Sequence, residues 1–93
     1  MDVAGAKAFV YAVIASATAA HHCTGMAQDE AQLAALHKAA GLAKSDAAWL
    51  AQQFQSTDQQ VKLEIAAQGL PKWCASMWDR LGPAPALGVL RKP

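Results

Sequence analysis

Hydrophobic residues recur every three to four positions through most of this chain, and glycine or proline punctuates the pattern where it stops. From about Val3 to His22, the residues Phe9, Val10, Val13, Ile14 and Ala17 fall on one stripe of a helix. Gly25 breaks that period. Asp29 followed by Gln32 has the form of an N-terminal capping box and predicts a second helix over 29–40, with Leu33, Leu36 and Ala40 as its apolar face. Gly41 suits the left-handed residue just past a helix end, which would let Leu42 fold back onto Leu36.

Ser45 is the expected N-cap of a third helix over 45–68, in which Leu50, Phe54, Thr57, Val61 and Ile65 step by helical intervals. The run Ser56-Thr57-Asp58 is the one place where it could break. Val61 to Ile65 also alternates like a strand, but a lone segment has no sheet to join. Gly69 ends the helix, and Pro71 fits the first turn of a fourth helix over 71–81 that carries Trp73, Cys74, Met77, Trp78 and Leu81. Residues 83–93, with Pro83, Pro85, Gly88 and Pro93, read as an extended tail. Short connections make consecutive helices antiparallel, so the pattern predicts an all-α, up-down four-helix bundle, one domain over 1–82.

Composition changes the weight of that core. The apolar fraction of 54% includes 23 alanines, which favour helix but bury little surface. A 93-residue domain with so thin a core gains from a cross-link. Its two cysteines supply a candidate. Helix one ends and helix four begins at the same end of the predicted bundle, so Cys23 and Cys74 can come within the roughly 7 Å that a disulfide requires. One structural disulfide in an exported protein is the preferred reading. Reduced core cysteines in a cytoplasmic protein are the second. The third starts from the repeated Cys-x-x-Met, in which Cys23, Met26, Cys74 and Met77, with His22 nearby, offer the soft sulfur set that selects copper(I).

Residues 8–20 have the length of a signal-peptide hydrophobic region and end in small residues. Asp2 cancels Lys7 ahead of it, and the stretch is expected to be the first helix of the fold, with a cleavable signal as the alternative. As a membrane span it is too short and too rich in alanine. Eight Lys/Arg against seven Asp/Glu give +1 with no cationic cluster, which argues against nucleic acid as a partner.

Catalytic constellations are not evident. Ser16, Ser45, Ser56 and Ser76 lack the neighbours of an activated nucleophile, and the cysteines are not Cys-x-x-Cys. Asp29-Glu30 is explained by a helix start, and no glycine-rich loop cradles a phosphate. His21-His22 and His37 suit helix C-termini, and adjacent helical residues point about 100° apart, which disfavours one shared metal. No cofactor is expected.

Trp49, Trp73 and Trp78 are many tryptophans for so alanine-rich a chain, and tryptophan is enriched at interfaces. Trp78 is expected to face the core with Leu81, Trp73 to lie on a neighbouring face, and Trp49 to be partly exposed. The expected function is therefore non-catalytic: a small exported, periplasmic-type module that binds a protein partner, possible as a homo-oligomer. Its surface would comprise Trp49, Trp73 and Trp78, with Leu87, Val89 and Leu90 of the tail. In architecture the chain is similar to the periplasmic acid-stress chaperones, which are small helical proteins with one wide disulfide; the similarity rests on the Cys23 to Cys74 framework. It implies capture of unfolded clients at low pH and carries over no residues. Copper(I) handling and an accessory subunit of a larger complex are the remaining alternatives.

Overall fold

Alanine decides how this chain packs. In the computed structural model, which describes residues 2–93, helix α1 (Val3–His22) buries Ala6, Ala12, Ala15 and Ala19 completely. Side chains this small let neighbouring helices approach α1 from several directions. α2 (Glu30–Ala40), α3 (Ala47–Gln68) and α4 (Leu70–Leu81) all pack against it, and α3 also packs on α4. An ideal up-down bundle places its first and third helices on a diagonal. Here α1 and α3 are in direct contact, and α2 rests chiefly on α1.

The helix directions follow from residue pairs. Asp2 N–H donates to Ala40 C=O and the Phe9 ring meets His37, so α2 returns antiparallel to α1. Cys23 bonds to Cys74 while Tyr11 meets Arg80, so α4 is antiparallel to α1 as well. The fold is the expected four-helix bundle with one disulfide.

The expected stripe on α1 needs correction. Phe9 and Val10 are buried, Val13 and Ile14 are half-buried, and Ala17 is exposed. The inner face instead runs through the alanines and Ser16, because α1 is enclosed on more than one side. Its length also differs from the reading of 8–20 as too short for a membrane. At 20 residues and a mean hydropathy of 1.5, α1 is long and apolar enough to cross one. In this fold 39% of that stretch is buried in the bundle, and a signal sequence near an N-terminus has the same length and composition.

Helix ends follow local chemistry. The Asp29 carboxylate accepts from Gln32 N–H at 3.0 Å and caps α2, and Gly41 closes that helix in the left-handed conformation at φ 63°. Ser45 is not the cap of α3. It lies in a 3₁₀ turn, Lys44–Asp46, where the Asp46 carboxylate turns back to Ala43 N–H at 2.9 Å, and α3 begins at Ala47. Ser56-Thr57-Asp58 does not interrupt α3, and Asp58 makes an i,i+4 ion pair with Lys62. Gly69 alone joins α3 to α4, at φ 83° and ψ 147°, a conformation that side-chain-bearing residues strongly disfavour.

The tail is the largest departure from expectation. It folds back as a strap, and its residues Leu90–Arg91 (β2) pair antiparallel with Ala27–Gln28 (β1), with Ala27 opposite Arg91 and Gln28 opposite Leu90. Val89 and Leu90 are 0% and 1% exposed and join the cluster built by Ala12, Ala15, Val61, Trp73, Met77 and Leu81. Burying such a pair is worth roughly 4 kcal/mol before the entropy of ordering the strap. The single domain therefore needs residues beyond 82 to complete its core.

Candidate functional site

Three features of the molecule could carry function: the disulfide end, a polar junction inside the bundle and the outer face of α3.

At the disulfide end, Cys23 caps α1 and Cys74 lies in the second turn of α4, with their Cα atoms 5.7 Å apart. Both sulfurs are bonded to each other, so neither is a thiolate in this form, and a copper site of the expected kind lacks its two strongest ligands. Met77 is fully buried, with its sulfur 3.8 Å from the Tyr11 hydroxyl, and Met26 is half-buried against the core. His22 is exposed and stacks edge-on against His21, with ring centroids 4.6 Å apart. Among the described residues, no three His, Cys, Asp or Glu side chains gather as a metal centre.

The polar junction was not anticipated from the sequence. Glu64 on α3 faces inward at the contact of α1, α3 and α4, where its Oε1 accepts from the Tyr11 hydroxyl at 3.0 Å and from the Trp73 indole N–H at 3.2 Å. Its Oε2 accepts from Gln60 at 3.1 Å. Arg80 donates to the Tyr11 oxygen at 3.2 Å and lies 5.1 Å from the centre of that ring. Burial first, and then the hydrogen bond to Glu64, push the Tyr11 phenol from 10.0 to about 12, while Arg80 pulls the other way. The junction satisfies its own members. A phenol that burial keeps in its neutral form and a carboxylate with both oxygens hydrogen-bonded make a self-contained polar network.

The same network overturns the expected roles of two tryptophans. Trp73 is fully buried at the centre of the core, with its N–H delivered to Glu64, so it belongs to no surface. Trp78 is the outer one, half-buried with the Lys92 ammonium 5.8 Å from its ring centre. Leu90 and Val89 are likewise withdrawn from any surface, and Leu87, in the same strap, is half-buried. Trp49 is half-buried at the start of α3.

The outer face of α3 remains. Gln52, Gln55, Gln59, Gln60 and Ala67 are exposed along it, and Leu63 is 71% exposed, the most exposed large apolar side chain among the described residues. Lys62 is the one charged residue that the face presents fully, and Asp58 neutralises it at 2.9 Å. From Gln52 to Ala67 the exposed face of the helix thus carries its charge as one ion pair, Lys62 with Asp58. Depletion of charge marks the centres of protein interfaces. In the sequence this face is visible as the glutamine-rich run from Gln52 to Gln60, opposite the buried stripe of Leu50, Phe54, Val61 and Ile65.

Comparison with protein-family models, with curated proteins and with solved structures finds no match for this chain.

Proposed function

We propose that this protein is a small, non-catalytic binding module of an oxidising compartment, periplasmic or secreted, and that it engages a protein partner through the outer face of α3 with Trp49 at its edge. The observation that carries the reading is Leu63, 71% exposed on a helix face whose exposed charges, Lys62 and Asp58, are paired with each other. An exposed leucine alone is ordinary; this one is set among side-chain amides and alanines, where docking strips no unpaired charge of water and the amides find hydrogen-bond partners on the other protein. The disulfide supports the compartment, because such bonds persist where thiols are not kept reduced.

The non-catalytic part of the reading rests on chemistry. The most perturbed titratable group, Tyr11, is held in its neutral state by a closed network. Ser16, the buried serine, donates a hydrogen bond to the Val13 carbonyl at 3.3 Å and accepts one from Gln28 at 3.0 Å, so its hydroxyl is occupied by backbone and amide partners.

The test is cross-linking in the native compartment with wild type, Leu63→Lys, Trp49→Ala and the distant control Lys7→Ala. The reading expects an adduct that Lys7→Ala retains and Leu63→Lys loses. An adduct pattern indifferent to Leu63 and Trp49 would refute it.

A further inference from the structure

The end of α1 carries a pair of side chains that neither the core nor the α3 face uses. His21 and His22 are both exposed in the last turn of that helix, and their ring centres stand 4.6 Å apart with the planes at 79°. Adjacent residues of a regular helix project about 100° apart, which by itself separates two side chains. Here the helix stops at the second of them. Cys23 leaves in an extended conformation, at φ −103° and ψ 125°, and its bond to Cys74 ties the helix end to α4. A covalent link one residue away thus holds the turn, while the two imidazoles lie in solvent.

The separation of the rings decides the chemistry. Imidazole nitrogens bind first-row divalent ions at about 2 Å, so two rings at neighbouring positions of one ion hold their centres roughly 4.5–5 Å apart. Rings on opposite sides of an ion would stand about 6 Å apart. The observed spacing fits the first arrangement, and each exposed ring aims a nitrogen by turning about its broad terminal torsion. The carbonyls of the last turn make this end the negative pole of the helix, which favours a cation. The cysteine sulfurs do not compete for the ion, because they are bonded to each other.

We propose that His21 and His22 form a two-imidazole surface site for a divalent transition-metal ion, with copper(II) as the preferred occupant. Imidazole suits the later first-row ions, their affinities peak at copper(II), and tetragonal copper(II) accepts two adjacent nitrogens. Among the described residues no third His, Cys, Asp or Glu joins the pair, so water completes the shell. An ion held in this way exchanges readily, and the site collects and passes on copper(II) without locking it into the fold. The proposal is independent of the α3 face and its partner.

His37 supplies the internal comparison, being an exposed imidazole on α2 whose ring neighbour is Phe9, 5.1 Å away. The experiment titrates the oxidised full chain with copper(II) supplied as its glycine complex, in wild type, His21→Ala, His22→Ala and His37→Ala. Imidazole line broadening by NMR and nitrogen hyperfine structure by EPR are the readouts. Because the second nitrogen binds within one molecule, removing either ring should weaken binding at least about tenfold. The site predicts one copper(II) per chain, His21 and His22 broadened together ahead of His37, two coordinated imidazole nitrogens, and unchanged affinity in His37→Ala. Simultaneous broadening of all three imidazoles, or wild-type affinity in either His21→Ala or His22→Ala, overturns it and leaves an adventitious ion only. Should a variant not fold, the wild-type spectra decide alone: two nitrogens from His21 and His22 support the site, and one nitrogen refutes it.

Discussion

The side-chain amide of Gln32 donates to the main-chain carbonyl of Leu87 across 3.2 Å, joining the first turn of α2 to the returning C-terminal strap. In a capping box that side chain would reach back to the Asp29 N–H. Here Asp29 N–H is taken by Val89 C=O at 2.8 Å, and Gln32 is released to grip the strap two residues earlier. One sequence feature thus starts a helix and anchors a segment more than fifty residues away.

Gln32→Ala should therefore loosen the strap while leaving α2 capped by Asp29. The expected cost is about 1 kcal/mol in denaturant unfolding, with faster amide exchange confined to residues 87–91. Asp29→Ala should cost a similar amount but act on the helix start. Uniform exchange changes in both variants would contradict the division of roles.

The Glu64 junction predicts an alkaline limit. Tyr11 is raised to about 12 in the folded chain from 10.0, so folding favours the neutral phenol. That contribution is present in full below pH 10 and is lost as pH rises through the folded value. Tyr11 is the chain's one tyrosine, which makes a tyrosinate absorbance titration unambiguous. Wild type should titrate about two units above denatured protein, and Tyr11→Phe should flatten the loss of stability that wild type shows between those values. Coincident folded and denatured titrations would remove the network's role.

Glu64→Ala leaves the Tyr11 hydroxyl and the Trp73 indole without their shared acceptor. Leaving a buried donor unpaired costs on the order of 1–3 kcal/mol, and the Trp73 emission should shift as its surroundings change. Glu64→Gln keeps an acceptor oxygen and should recover much of the loss. Equal losses in both variants would show that charge, and not the hydrogen bonds, holds the junction.

Alanine packing around α1 predicts a low tolerance for volume. Ala15→Leu, at a fully buried position, should cost about 1–3 kcal/mol or more, whereas Ala34→Leu on the exposed side of α2 should stay within roughly 0.5 kcal/mol. Equal small effects would mean that α1 is not the close-packed centre.

Much of this fold was legible because it is written in periodicity and punctuation. Helical spacing, Gly25, Gly41, Gly69 and Pro71 place all four helices within a residue or two of their observed bounds. The antiparallel succession of helices brings Cys23 and Cys74 to one end before any distance is known. What stayed hidden lacks a period. β2 is two residues long, too short for an alternation to show, and the burial of Val89 and Leu90 depends on a cradle built from residues 27–32. Glu64 reads as a solvent-facing charge until Tyr11 and Trp73 arrive from two other helices. Ranking alanine low as a source of buried area concealed its role as the residue that lets α1 and α3 touch. Trp73 and Trp78 exchanged expected places for a related reason: the indole N–H went to the position where a buried acceptor waited.

The central claim is an oxidised, disulfide-stapled binding module, and the intact mass of the protein taken from its native cell under non-reducing conditions, with and without thiol alkylation, tests it most directly. The account predicts a mass lower by two hydrogens than the reduced chain and no alkylation at either cysteine. Two alkylated thiols in the native protein would contradict it, placing the chain where cysteines are kept reduced and returning Cys23 and Cys74 to the pool of available ligands.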